Sequence, residues 1–547
     1  MMKGRRFRVL CLVLAAVLLA GLSAACGGRR GKTIVIALPM GTEKPVWEAL
    51  AADYMARNPD VLVEVKDRDA AEYSSWLVNG FASGDVEADI VTVNETASYI
   101  SEGKFLRLNN YLNRINPYMT NEETGEKMRW RDGLEEEAYV SSLDNKFIST
   151  DNSTYCISLD RVQVALFYNK RIFEQCGITQ LPRTWDELVD VCETITKFSN
   201  PETGISYVPL SIPGESRALT YYYNWMVRIY TDQYFRDLEP QVAYREKDYY
   251  YDEERDAEWT FDIEDINNDK TQNVGFNIVR LASEVDAGTE LGVTGAKYTE
   301  MMENFKKIFP QYALPDFIAS TLGNEYYYFY NAQAAMILDA SWFVTDFPEK
   351  MKRPYQTGFK QFDYGILYLP PMGTEVNAAG EVVRKADSVV GADYTRSLGG
   401  ATGYYGIVNK SKEQNDLNAD FLMYWASPVG QKVRLEAMKK NKLAPKGTIL
   451  LKDFEMDAEW QEQLDRLEYR GECDYNPFTV MAAGWMGDDQ SKRGYYAEVQ
   501  KYFMGETTIK SALLNIHSEL QDGIARWIKS NNYREDCLQY PERNPNQ

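Results

Sequence analysis

Few side chains in this chain of 547 residues are arranged for covalent or metal chemistry. His517 is its single histidine, so an HExxH zinc helix is impossible, and neither a convincing G-x-S-x-G elbow nor a glycine-rich phosphate loop is present. The cysteines Cys156, Cys176, Cys192, Cys473 and Cys537 are scattered, with no CxxC pair, and announce neither a metal knuckle nor a disulfide framework. Asp265-x-Asn267-x-Asp269 opens like a calcium loop. Lys270 then stands where the turn glycine belongs and Phe276 where the bidentate glutamate belongs, which argues against one. Paired carboxylates remain, and with 81 Asp and Glu a glycoside hydrolase cannot be dismissed by counting. The side chains in surplus are binding ones. Tyrosine (38) and tryptophan (11) offer an apolar face for stacking and a polar edge for hydrogen bonds. The net charge of −21 repels nucleic acid, whose capture depends on basic residues meeting phosphates.

The elements that position these residues begin after an export segment. Lys3, Arg5, Arg6 and Arg8 precede the apolar run 9–22, which closes on Ser23-Ala24-Ala25-Cys26. That run is too short for a comfortable membrane span. It resembles a bacterial lipoprotein signal, although Ser23 replaces the commonest leucine. The resemblance implies a signal peptide over 1–25, a thioether lipid on Cys26 and a tether through residue 32. It also implies a location on the extracytoplasmic face of the cell membrane, held by the lipid alone. Beyond residue 26 no apolar run has spanning length. The roughly 520 remaining residues exceed what one hydrophobic core organises, so at least two globular units are expected.

Residues 32–38 form a β-branched run that stops at Pro39-Met40-Gly41, and residues 45–58 then carry helical spacing. A second strand is expected over 61–65, a helix over 70–83 and a third strand over 88–93. Strands alternating with helices make an α/β unit whose parallel sheet is covered on both faces. Ligands of such sheets sit beyond the carboxyl ends of the strands. This places Glu43 and Lys44 after the first strand, and Asn94 and Glu95 after the third, as candidates to hydrogen-bond a ligand or as loop residues in solvent.

The run Phe167-Tyr168-Asn169-Lys170 with Gly177 and Pro182-Arg183-Thr184-Trp185-Asp186-Glu187-Leu188 resembles the hinge-crossing segment of the family 1 extracellular solute-binding proteins. These are the maltose-binding-protein-like sugar receptors of ABC importers. Thr184 and Glu187 also form a capping box, so a helix is expected to start there in any case. Similar stretches follow the family order at 84–108, at Ala334-Ala335-Met336 through Ser341-Trp342, at 364–371, and at 399–431 with its Trp425-Ala426-Ser427-Pro428-Val429-Gly430-Gln431. The resemblance implies a periplasmic-binding-protein-like fold of two α/β lobes with a hinge and an interlobe cleft. Lobe one would comprise 33–156 plus 398–450 and lobe two 160–395 plus 452–540. It also implies a monomer that closes on a carbohydrate and hands it to permease subunits, without a cofactor and without catalysis. Trp342 and Trp485 fall where members often put a sugar-stacking aromatic. Asp339, two residues before Ser341, either joins the site or secures the strand end.

Two segments exceed the compact pattern, 111–152 and the acidic, tyrosine-dense 236–273, and they either widen the cleft for an oligosaccharide or decorate the surface. The same aromatic and carboxylate residues would serve a cationic ligand such as a polyamine, so composition does not choose between the two.

Overall fold

The computed structural model describes residues 32–39, 43–93, 97–100, 102–139, 153–257, 260–267, 275–352, 361–485 and 489–547. The export segment, Cys26 and the tether up to residue 31 lie outside the described residues, as do Asn94, Glu95, Asp269 and Lys270, while Lys32, expected to end the tether, already belongs to the first strand.

The chain opens with β1 (Lys32–Leu38), α1 (Lys44–Arg57), β2 (Val61–Asp67), α2 (Ala70–Ser83) and β3 (Ile90–Thr92). Ile34 and Ile36 are fully buried, as strands covered on both faces require. Pro45 starts α1 without losing a hydrogen bond, and Val46, Trp47, Leu50 and Tyr54 turn its apolar side to the sheet. Next come β4 (Cys156–Ile157), β5 (Asp160–Asn169), β6 (Val208–Leu210), α3 (Tyr222–Phe235), α4 (Asn324–Tyr330), β7 (Ala334–Ala340), α5 (Trp342–Met351) and β8 (Tyr364–Leu367). The last elements are β9 (Gly399–Thr402), β10 (Tyr405–Ile407), α6 (Pro428–Lys440), β11 (Thr448–Ile449), α7 (Asp489–Met504) and α8 (Ile509–Ser530).

These strands make two sheets. The first has the order β2-β1-β3-β10-β4, with β1 parallel to β2 and β3, and β10 antiparallel to β3 and β4. The second has the order β8-β5-β7-β6, with β6 and β7 parallel. The long strand β5 joins them. Its first residues pair with β9 and β11, its later ones with β7 and β8. Residues 399–402 and 448–449, assigned to lobe one from the sequence, therefore pair with the strand that opens the second sheet, because each crossing segment zips onto β5 before changing sheets.

Local chemistry explains the motif residues. Thr184 Oγ1 accepts from the Glu187 amide at 3.2 Å and starts the helix Trp185–Thr196, but Glu187 reaches back to the Arg183 amide (2.7 Å), so the capping box is displaced by one residue. Ser427 caps α6 by accepting from the Gly430 amide (3.2 Å), and Gln431 Nε2 donates to the Trp425 carbonyl (2.8 Å). A Cβ on Gly430 would lie 2.2 Å from the Tyr424 carbonyl oxygen, so this corner admits only glycine. Trp425 then stacks on Trp47 at 5.6 Å in the core of lobe one.

The described parts of both extra segments are tied to the rest of the fold. The hairpin Ile115–Thr120/Lys127–Arg129 is pinned to the helix Lys412–Trp425 by Tyr118 to Asp420 (2.8 Å) and Asn116 to the Met423 carbonyl (2.9 Å). In lobe two, Tyr394 donates to the Ile263 carbonyl and Arg396 to the Asp265 carbonyl (3.1 Å). All five cysteines from 156 onward are buried and free.

Candidate functional site

The carboxyl ends of the parallel strands β6 and β7 are where lobe two can meet a ligand. Asp339 lies one residue from the end of β7, Ser341 follows it, and Trp342 opens α5. Ser341 is placed to cap α5, yet its hydroxyl donates instead to the Lys446 carbonyl at 2.6 Å, and Thr345 donates to the Pro445 carbonyl at 2.9 Å. The start of α5 is thus fastened to the segment that leads into β11.

Trp342 is half-buried and meets Trp225 edge to face, with ring centroids 6.1 Å apart and planes at 61°. Trp225 belongs to α3, which is buried all round except at Trp225 and Arg228. With Tyr221, the residue before the helix and 44% exposed, they form one stripe at i, i+4 and i+7. That stripe spans about 10 Å at 1.5 Å per residue. Arg228 closes its far end by donating through Nε to Asp474 (2.8 Å), and the Asp474 amide donates to Glu472 (2.9 Å). Burial holds the Glu472 carboxyl well above the usual carboxylate range. Close to that end, Arg161 on β5 pairs with Glu137 (2.6 Å) and lies 5.0 Å from the Tyr469 ring.

Behind the tryptophans, Asp339 and Glu325 are each 1% exposed. Asp339 Oδ1 accepts from the Ala340 amide (2.8 Å), and both Glu325 oxygens accept from the Gly323 amide (3.0 and 2.9 Å). The Tyr326 and Trp342 side chains approach the Asp339 carboxylate without closing a well-formed hydrogen bond on Oδ2. Burial pushes the Asp339 carboxyl up to about 7, against these donors and with Glu325 adding to the rise. Neither acid has a cationic partner among the described residues.

Lobe one contributes Glu43, just before α1, whose carboxylate meets Lys446 Nζ at 2.7 Å. Burial raises this carboxyl, but Lys446 and, beyond it, Arg434 more than offset that effect and leave it below its ordinary value. Lys446 therefore links Glu43, through its ammonium, to Ser341 beside Trp342, through its carbonyl. Lys44 turns the other way, toward Asp67 (3.0 Å) and Glu48 (4.0 Å), at the exposed end of α1.

Trp485 sits elsewhere. It is 0% exposed, has φ of 62°, and packs against Trp527 of α8 at 5.6 Å within the lobe-two core. In the structure this tryptophan is folded inward under the C-terminal helices. Trp225, Tyr326 and Arg228, which join Trp342 in the structure, are missed by sequence reasoning. The Tyr221, Trp225, Arg228 spacing was visible, but on a helix whose polar residues Asn224, Asp232 and Gln233 are buried as well, nothing in the sequence marked it as the open side.

A separate groove of about 750 Å³ on lobe two is lined by Leu238, Arg245, Arg280, Lys297 and Pro541 among others, and includes none of these residues. Its cations are engaged, Arg280 with Asp248, Lys297 with Asp237 and Arg245 with the Gln241 carbonyl.

Two α/β lobes joined at β5, with an aromatic wall beside the joint, define a periplasmic-binding-protein-like molecule. The family model for bacterial extracellular solute-binding proteins matches residues 41–432, and the chain belongs to that family. No curated protein matches the sequence. Among solved structures, it is similar to a chitin oligosaccharide binding protein (15% identity, TM-score 0.56, covering 90% of this chain and 99% of that one). It is also similar to a sugar transporter from Bacillus licheniformis in complex with stachyose (14%, 0.53, 90% and 99%). A third is the maltose/maltodextrin-binding domain MalE from Bdellovibrio bacteriovorus bound to maltotriose (14%, 0.52, 91% and 100%). At such identities the likeness is one of fold. No helix among the described residues is long and apolar enough to cross a membrane.

Proposed function

We propose that this protein captures an oligosaccharide between its two lobes and passes it, chemically unchanged, to the permease of an ABC importer, while a lipid on Cys26 holds it at the outer face of the membrane. The observation that carries this reading is the single open stripe of α3 converging on Trp342 at the carboxyl ends of β6 and β7. Two tryptophans at an angle offer the apolar planes on which pyranose rings stack, and a stripe longer than one ring suits a chain of them. Fold relatives holding stachyose and maltotriose support a sugar as the occupant. Glu43 and Ser341, the neighbour of Trp342, are both tied to Lys446 and are suited to sense how the lobes sit. A ligand touching both lobes only when they close shifts the population toward the closed form. The protein acts as a monomer in this reading and catalyses nothing.

The test is a tryptophan-fluorescence titration of the lipid-free protein with maltotriose, raffinose, stachyose, N-acetylglucosamine trimer and spermidine, followed by chromatography of the recovered ligand. Saturation by a sugar recovered intact is expected. Sugar cleavage would make the protein a glycosidase, and saturation by spermidine alone would make it a polyamine receptor.

A further inference from the structure

Two ion pairs run from lobe one to the joint between the lobes. The first is Glu43 with Lys446 (2.7 Å). Lys446 falls in lobe one by sequence, but its carbonyl accepts from Ser341 and the preceding Pro445 carbonyl from Thr345, so its backbone is fastened to lobe two. The second is Glu137 with Arg161 (2.6 Å). Glu137 is anchored in lobe one, where Ala138 packs into the cluster of Trp47 and Trp130 and the Thr154 hydroxyl donates to the Tyr139 carbonyl (2.9 Å). Beyond Arg161 stands Tyr469, whose hydroxyl reaches back toward Glu137 at 3.5 Å. Its neighbours are held in lobe two, the Glu468 amide by the Tyr368 hydroxyl (2.6 Å) and the Arg470 carbonyl by the Ser397 amide (3.0 Å).

The two cations sit side by side. Arg161 on β5 pairs in register with Thr448 on β11, and a Cβ on Gly447 would run into the Arg161 carbonyl oxygen. The segment carrying Lys446 therefore lies flush against the strand carrying Arg161. A third pair at the joint has a different character. Asp160 and Arg434, which tie the start of β5 to α6, keep only 9% and 6% of their side chains accessible, and opening such a pair strands a buried charge. Glu43 and Lys446 keep 24% and 41%, and Glu137 and Arg161 keep 15% and 27%. Water can take the place of either partner there, so these two pairs can part and re-form at modest cost.

Resting on the closure reading above, we propose that Glu43–Lys446 and Glu137–Arg161 are reversible latches across the joint, and that together they set how often the ligand-free lobes leave the arrangement seen here. Each latch lost favours the alternative arrangement, before any sugar arrives. The extra segment 111–152, which supplies Glu137, thereby takes part in lobe movement. Glu137 and Arg161 act as positioning residues in this scheme.

Pulsed electron paramagnetic resonance between nitroxides at Ser75→Cys on α2 and Ser518→Cys on α8, both exposed positions, reads the separation of the lobes. The lipid-free protein carries Cys26→Ser, and its other five cysteines are buried. Without sugar, one distance should dominate. Glu43→Gln and Glu137→Gln should each raise the ratio of a second distance to the first by about two- to fivefold, and the double variant by about the product of the two factors. Lys446→Gln should match Glu43→Gln, and Arg161→Gln should match Glu137→Gln. Removing both partners of one latch should shift the ratio no further than removing one. Glu193→Gln, which breaks a surface pair with Lys197 inside lobe two (2.9 Å), should change nothing. Unfolding transitions confirm that each variant is folded, and the two latches are tested separately, so misfolding of one variant leaves the other as the test. A double variant with the ligand-free distances of the wild type, or partners within one latch whose effects multiply, overturns the proposal. Saturating maltotriose, raffinose and stachyose then separate the two readings. A wild-type distance that changes with sugar leaves closure standing when the latches fail, and distances that neither sugar nor substitution alters remove both.

Discussion

Trp342 and Trp485 carry the same side chain in the same lobe, and both stand beside residues that a sequence reader associates with a stacking site. Their surroundings differ. Trp342 begins a helix at the end of a parallel strand, where the next covering element arrives from another part of the chain and leaves one side of the ring open. Trp485 follows a short 3-10 helix, and α8 closes over it through Trp527. A tryptophan keeps an open face when the topology leaves it at an edge that nothing in the same lobe covers, and becomes a core residue when a later helix arrives to cover it.

Mutation should separate the two regions sharply. Trp485→Ala empties a packed interior and should cost about 3 to 5 kcal/mol of stability in denaturant unfolding, while the folded fraction keeps its ligand affinity. A loss of affinity with stability intact would reverse the assignment. The acid behind Trp342 gives the next largest effect. Its carboxyl is pushed from 3.8 up to about 7 by burial, so the folded state binds a proton that the unfolded chain has released. Stability contributed by this group is therefore complete below about pH 4 and is lost as pH rises through 7. Asp339→Asn should be progressively more stable than the wild type over that window, at about 1.4 kcal/mol per pH unit at most. Parallel stability curves for the two proteins would show that the carboxylate is compensated after all.

Trp342→Ala should weaken sugar binding by about 1 to 3 kcal/mol with little change in unfolding. Trp225→Ala should do likewise, and the double variant should lose less than the sum, by about 0.5 to 1.5 kcal/mol, because each ring positions the other. Strict additivity would mean that the two rings act separately. Glu43→Gln has the smallest expected effect: its pairing with Lys446 is partly exposed to solvent, with 24% of the Glu43 side chain accessible, so no more than about 1 kcal/mol is at stake. A larger loss in affinity would show that Glu43 touches the ligand directly.

The sequence made the scaffold legible because its signals are local. The β-branched run 32–38 coincides with β1, Thr184 caps its helix, and the corner at 425–431 is dictated by a serine cap and by a glycine beneath a carbonyl. Strand lengths were less visible: β2 extends to Asp67, whereas β3 spans only Ile90–Thr92 of the expected 88–93, since pairing partners distant in sequence decide where a ladder ends. The candidate site was partly legible. Asp339 and Trp342 announce themselves at a strand end, but Trp225 is embedded in the run Tyr222–Phe235, where polar and apolar residues alike are buried, so only the packing of neighbouring helices reveals which stripe stays open. Glu43 was a candidate without its partner, because Lys446 lies some 400 residues away in sequence and reaches it only after two chain crossings.

Capture by closure is tested most directly by small-angle X-ray scattering of the lipid-free protein with and without a saturating sugar. A radius of gyration that contracts on binding, with the sugar recovered intact, is the predicted result. An unchanged radius at full occupancy would contradict capture by the rotation of two lobes.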